Sequence, residues 1–141
     1  MPHQTITSLV YISTARPGLD QNDLLAIMAV AERNNERSGI TGLILFNGFN
    51  FIQCIEGERG AANECLRRIE RDDRHDGMTI VSHGELACRQ FAEWRMAGQS
   101  VPAQTGQAEA DMLALLSRET VTEATRALFH SFRSFGIKMP D

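Results

Sequence analysis

An α+β domain, one sheet with helices on both faces, is predicted by three features of this sequence. Short runs alternate apolar and polar residues with the period of a strand. Two stretches between them repeat at helical spacing instead, and the elements follow the order strand, helix, strand, strand, helix, strand, strand. That order matches a ferredoxin-like five-stranded mixed sheet, the split β-α-β arrangement with an extra edge strand, and both of these helices lie against one face. The other face needs cover, so two C-terminal helices are expected on it.

The first strand is "TITSLVYIS", residues 5–13, rich in β-branched residues, with Leu9 and Tyr11 on one face and Ile6, Val10 and Ile12 on the other. "TARPGLDQND" breaks it. Asp20 with Asp23 three residues later suits a helix start, Leu24, Met28, Ala31 and Asn35 form the helical stripe, and Gly39 stops it. Two apolar runs flank Asn47-Gly48, a strong hairpin signal, so strands are expected near 40–46 and 49–56, with Phe49, Phe51, Gln53 and Ile55 on one face. Ala62, Cys65, Leu66 and Ile69 mark a second amphipathic helix over about 60–72. "MTIVSHGEL" and "RQFAEWRM" supply two further strands. After the polar spacer "VPAQTGQAEA", Met112, Leu113, Leu115 and Leu116, then Val121, Leu128, Phe132 and Phe135, recur at the spacing of two helices. Residues 1–98 are thus expected to form one domain and 99–141 a helical extension packed on the sheet, too short for an effector domain of its own.

Composition narrows the function. The 141 residues are 43% hydrophobic, with a formal net charge of −4, a pI near 5.5 and no basic block, which argues against nucleic acid as a partner. The amino terminus lacks a signal-peptide pattern and no apolar stretch is long enough to span a membrane, so a cytoplasmic location is expected. Cys54, Cys65 and Cys88 lack metal-site spacing and read as small apolar fillers, with no metal. Phosphate-binding, dinucleotide-binding, zinc-protease and nucleophile-elbow motifs are missing, and no enzymatic activity is expected.

Three polar side chains interrupt apolar surfaces: Tyr11, Asn35 and Gln53. A strand tyrosine is commonly a core ring with its hydroxyl at the edge, and an asparagine near a helix end is commonly a cap. Gln53 is harder to accommodate, because a buried amide without partners costs on the order of 1–3 kcal/mol. If Leu9 and Tyr11 share the helix-facing side with Phe51 and Gln53, phenol and amide can meet across neighbouring strands, with Asn35 above them. A flat, edge-polar ligand between the two helices would account for all three. Asp72, Arg74 and His75 follow the second helix and read most simply as a solvated turn. Trp94 and Met96, two apart, share one strand face and read as core packing.

The segments "SLVYIS", "RNNERSGITGLILFNG", "FIQCIEG", "IERDDRHDG" and "FAEWRM", in this order, resemble the BLUF family of blue-light receptors using flavin, over about residues 5–98. The resemblance implies a ferredoxin-like sheet with an oxidised flavin, FAD or else FMN, held without a covalent bond between the two helices. It implies that Tyr11 is the photoactive phenol and that Gln53 lies between it and the flavin N5 and O4 edge. Asn35 would bind the O4 and N3 side with Asn34 close by, Asp72 the pyrimidine portion with His75 near it, and Arg68 the ribityl-phosphate part. Ile27 and Ile69 complete the expected cofactor-binding set. Trp94 and Met96 match the family's fifth-strand signalling pair, whose inward or outward placement the resemblance leaves open.

The resemblance further implies that light moves an electron and then a proton out of Tyr11, and that their return leaves Gln53 rotated, tautomerised or both. A carboxamide suits this role because it carries a donor at one end and an acceptor at the other. The expected output is a signal to a separate effector protein, and the apolar tail suggests a homo-oligomer. The competing reading is a non-photochemical ferredoxin-like module for protein interaction, in which Gln53 is satisfied internally.

Overall fold

The computed structural model of the chain describes residues 5–92, 97–100 and 106–134. Four strands form an antiparallel sheet: β1 (Ile6–Ala15), β2 (Thr41–Phe46), β3 (Asn50–Gly57) and β4 (His75–Leu86). Their order is β4-β1-β3-β2, and a short segment, β5 (Ala97–Ser100), pairs in parallel with β2 at the edge. Helices α1 (Gln21–Ser38) and α2 (Arg59–Glu70) connect β1 to β2 and β3 to β4, while α3 (Gly106–Leu116) and α4 (Glu123–Ser134) follow the sheet.

Local sequence accounts for these boundaries. Asp20 caps α1 in a reciprocal box with Asp23, each carboxylate accepting from the other's backbone N–H. Gly39 ends the helix at φ 69°, a left-handed conformation that glycine adopts without a Cβ penalty, and its N–H donates to the Asn35 carbonyl. At the β2–β3 hairpin the Asn47 side chain accepts from the Phe49 and Asn50 backbone N–H groups, and Gly48 takes φ 95°.

The alternation of β1 puts its two faces into two cores. Leu9, Tyr11 and Ala15 join Leu24, Ile44, Phe51, Ile55 and the α2 residues Ala62, Cys65 and Leu66 on one side. Val10 joins Leu43, Leu45, Ile52 and Cys54 with Met112, Leu115, Leu116, Val121, Phe129 and Phe132 on the other, so the C-terminal helices cover that face.

Several expectations are corrected. Arg89–Ala92, expected to begin a strand, is irregular, because the Gln90 and Phe91 backbone N–H groups are taken by the Glu56 carboxyl group instead of a sheet ladder. Phe49 is 65% exposed at the hairpin tip, since β3 begins one residue later. Ile6 is packed in neither core. Leu128 packs against the second core as expected, with its unforeseen neighbour Phe129 fully buried, but Leu113 is exposed. Cys88 is exposed in the chain after β4 and fills no core position. Trp94, Met96 and Phe135 lie outside the described residues.

Candidate functional site

A cleft of about 180 Å³ opens between α1, α2 and the helix-facing side of the sheet. Tyr11, Ile27, Asn34, Asn35, Gln53, Arg68, Ile69, Asp72 and His75 all line it. These nine positions span more than sixty residues of sequence and come from β1, α1, β3, α2, the turn after α2 and the start of β4.

The centre of the cleft wall is set by strand register. Tyr11 and Gln53 are directly opposite across the antiparallel β1–β3 pair, and the Tyr11 hydroxyl donates to Gln53 Oε1. Both side chains are buried, at 2% and 4% exposure. Burial pushes the Tyr11 phenol well above the usual tyrosine range, and the nearby Cys65 and Asp72 act in the same direction. The phenol therefore keeps its proton throughout the neutral range.

Asn35 stands over the same space from the last turn of α1, buried, with Cys65 Sγ donating to its Oδ1 at 3.9 Å. At the cleft mouth Asp72 accepts from both Nε and backbone N–H of Arg74, each at 3.0 Å. Partial burial works against the Asp72 carboxylate, but those two bonds and the charges of Arg74 and His75 outweigh it and hold its pKa below the ordinary value. His75 Nε2 faces the Ile69 carbonyl at 2.6 Å, which makes Nε2 the protonated nitrogen. Its Nδ1 is buried with no hydrogen-bond partner among the described residues.

Val30, Ala31, Ile44, Phe51, Cys65 and Arg74 also line the cleft. Spacing carries a signal for most of them: Ala31 and Cys65 lie one helical turn before Asn35 and Ile69, while Phe51 is two residues before Gln53 and Ile44 is its register partner on β2. Phe51 stacks on Phe46 at 4.8 Å and meets the His75 ring edge-on at 6.2 Å, stiffening one apolar wall.

A family model, BLUF, sensors of blue-light using FAD, matches residues 6–97. The chain belongs to the BLUF family. It is 38% identical over 93 residues to the photoactivated adenylate cyclase subunit beta of Euglena gracilis, a match covering 65% of this chain and 11% of that protein. The chain therefore spans about a tenth of the length of that curated relative. Among solved structures it is similar to the dark state of BlrB, a BLUF protein, with TM-score 0.70 and 32% identity over 92% of this chain and 99% of that one. It is also similar to Klebsiella pneumoniae BlrP1 with FMN and cyclic diGMP, with TM-score 0.78 and 28% identity over 93% of this chain and 35% of that one.

BLUF domains bind flavin, and the cleft has the chemistry for a flat heteroaromatic ring with polar edges. Ile27, Ile44, Phe51 and Ile69 supply apolar walls, while Asn35, Gln53 and Asp72 supply edge groups. The buried His75 Nδ1 calls for a polar partner that the described protein residues do not provide.

Proposed function

We propose that this BLUF domain is a blue-light photoreceptor switched by Tyr11 and Gln53. The observation that carries the reading is the phenol-to-amide hydrogen bond across β1 and β3 at the wall of the cleft. A bound oxidised flavin supplies the chemistry of light absorption and an electron-accepting excited state. FAD is the preferred form, being the cofactor in the family's description. The structure of BlrP1 with FMN keeps that nucleotide as the alternative, and extraction and chromatography of the flavin bound on expression distinguish the two.

In this reading Asn35 and Asn34 hold the ring's carbonyl and imide side, Asp72 and His75 its pyrimidine portion, and Arg68 the ribityl phosphate, between Ile27 and Ile69. Tyr11 gives up an electron and, from Oη, a proton along its bond to Gln53 Oε1. Both return to Tyr11. The amide is the group left altered, because rotation or tautomerisation interchanges its donor and acceptor ends while its burial prevents water from substituting for either. Residues 1–98 act as the sensor, with Trp94 and Met96 as its signalling pair, and 99–141 as the output element, and the output passes to a separate effector protein.

No helix among the described residues is long and apolar enough to cross a membrane, which supports a cytoplasmic site of action. Association as a homo-oligomer fits the amphipathic tail. The test is a visible absorption spectrum of the flavin-loaded protein before and after a blue flash. A small red shift that reverses in the dark is expected; bound flavin without any shift would refute photoreception and favour the interaction-module alternative.

A further inference from the structure

On the sheet face opposite the cleft, a buried carboxamide ties the sensor strands to the start of the last helix. Gln90 is 1% exposed in the irregular chain after β4. Its backbone N–H donates to Glu56 Oε2 at 2.9 Å, and its Nε2 donates to Ser8 Oγ at 3.2 Å with Cys54 Sγ at 3.9 Å. Its Oε1 accepts from the Thr122 N–H at 2.9 Å, and its main-chain carbonyl accepts from the Thr120 hydroxyl at 2.8 Å. Thr122 in turn caps α4, its hydroxyl accepting from the Thr125 N–H at 3.2 Å.

The residues that Gln90 grips on β3, Cys54 and Glu56, alternate with the cleft residue Gln53 along one strand. A displacement of β3 at Gln53 is therefore delivered to a side chain fully committed to hydrogen bonds at both ends. A donor or acceptor pulled off a partner inside a dry core cannot be re-solvated, so the arrangement resists partial slippage. Glu56 adds rigidity by also accepting from Phe91 N–H at 2.6 Å and Thr41 Oγ1 at 2.9 Å.

We propose that Gln90 couples the light-driven rearrangement of Gln53 on β3 to the N-terminus of α4 by clamping Ser8, Cys54 and Glu56 to Thr120 and Thr122. This rests on the photochemical reading above and adds an output route independent of the fifth strand. Gln90 does not line the cleft, so a variant lacking its amide is expected to retain flavin and the red shift.

The test pairs absorption spectroscopy with hydrogen exchange on the full chain loaded with FAD, in the dark and under blue light, for the wild type, Gln90→Ala and the milder Thr120→Val. In the wild type, light is expected to change exchange across the first turn of α4. In Gln90→Ala the Thr122 amide exchanges about three- to tenfold faster in the dark, as loss of one hydrogen bond predicts. Both variants are expected to keep the red shift and lose the light-induced change at α4. Should Gln90→Ala fail to fold, Thr120→Val decides. Light-induced exchange persisting in the variants overturns the clamp, as does a wild type that shifts red without any change at α4. Loss of the red shift in a flavin-loaded variant also overturns it, by placing Gln90 within the photochemistry. A wild type that binds FAD but shows no red shift overturns the photochemical reading as well.

Discussion

Tyr11 and Gln53 meet because an antiparallel ladder sets residues side by side on one face, where a phenol and a carboxamide are each other's nearest polar group. Replacing Gln53 with Leu keeps the volume and removes both the donor and the acceptor. The Gln53→Leu protein is expected to bind flavin and show no light-minus-dark red shift, and Tyr11→Phe is expected to bind flavin with the reversible shift abolished. A normal difference spectrum in either variant would remove that residue from the photochemistry. Asp72 offers a pH test. Its folded pKa lies below the unfolded value of 3.8, so the stabilisation is complete well above that value and disappears as acid titrates through the lower folded pKa. An NMR titration should find the Asp72 carboxyl titrating below 3.8 in the wild type and moving upward in Arg74→Ala; an unmoved Asp72 would show that Arg74 is not its stabiliser.

Secondary-structure elements were largely legible where the signal is local. The Asp20–Asp23 box, the left-handed Gly39 and the Asn47-Gly48 turn are each written within a few residues, and each forms as read. Gly42 shows a constraint no local pattern announces. A Cβ there would stand 2.0 Å from the Cys54 carbonyl oxygen, a backbone atom of the paired strand that cannot swing aside. Gly42→Ala should force β2 from β3 and destabilise the fold by about 3 kcal/mol or more, seen as a lowered urea midpoint with weakened flavin retention. An unchanged midpoint would mean that the hairpin yields freely. The segment 89–92 misleads for a related reason: its alternation resembles a strand, but its N–H groups find the buried Glu56 carboxyl group, a competitor contributed from a distant part of the chain.

The molecule is built as two cores on one sheet, the cleft on one side and the C-terminal helices on the other. Each face of β1 and β3 is therefore buried, and what stabilises the output face also holds the strands that shape the cleft. Phe129 is wholly buried between α4 and the sheet, and Phe129→Ala should cost about 3–5 kcal/mol in chemical denaturation. Because the sheet is shared, flavin affinity is expected to weaken as well; a variant of wild-type stability would mean that α4 detaches without consequence for the second core. The expected stripe included Leu128, which packs at the edge of this core, and missed Phe129 at its centre, since helical periodicity locates a face while the partner surface selects which neighbour fills it.

Periodicity and turn chemistry were enough to predict the α+β class, the order of the main elements and the polar trio Tyr11, Asn35 and Gln53, because those signals depend on neighbours a few positions away. Motif resemblance added the family and the other cleft residues. The joining of β1, α1, β3, α2 and β4 around one cleft depended on strand register and helix docking. So did the orphaned His75 Nδ1 and the Gln90 clamp. The clamp joins groups up to eighty-two positions apart, whose pairing is set by which buried donor reaches which acceptor once both cores have closed.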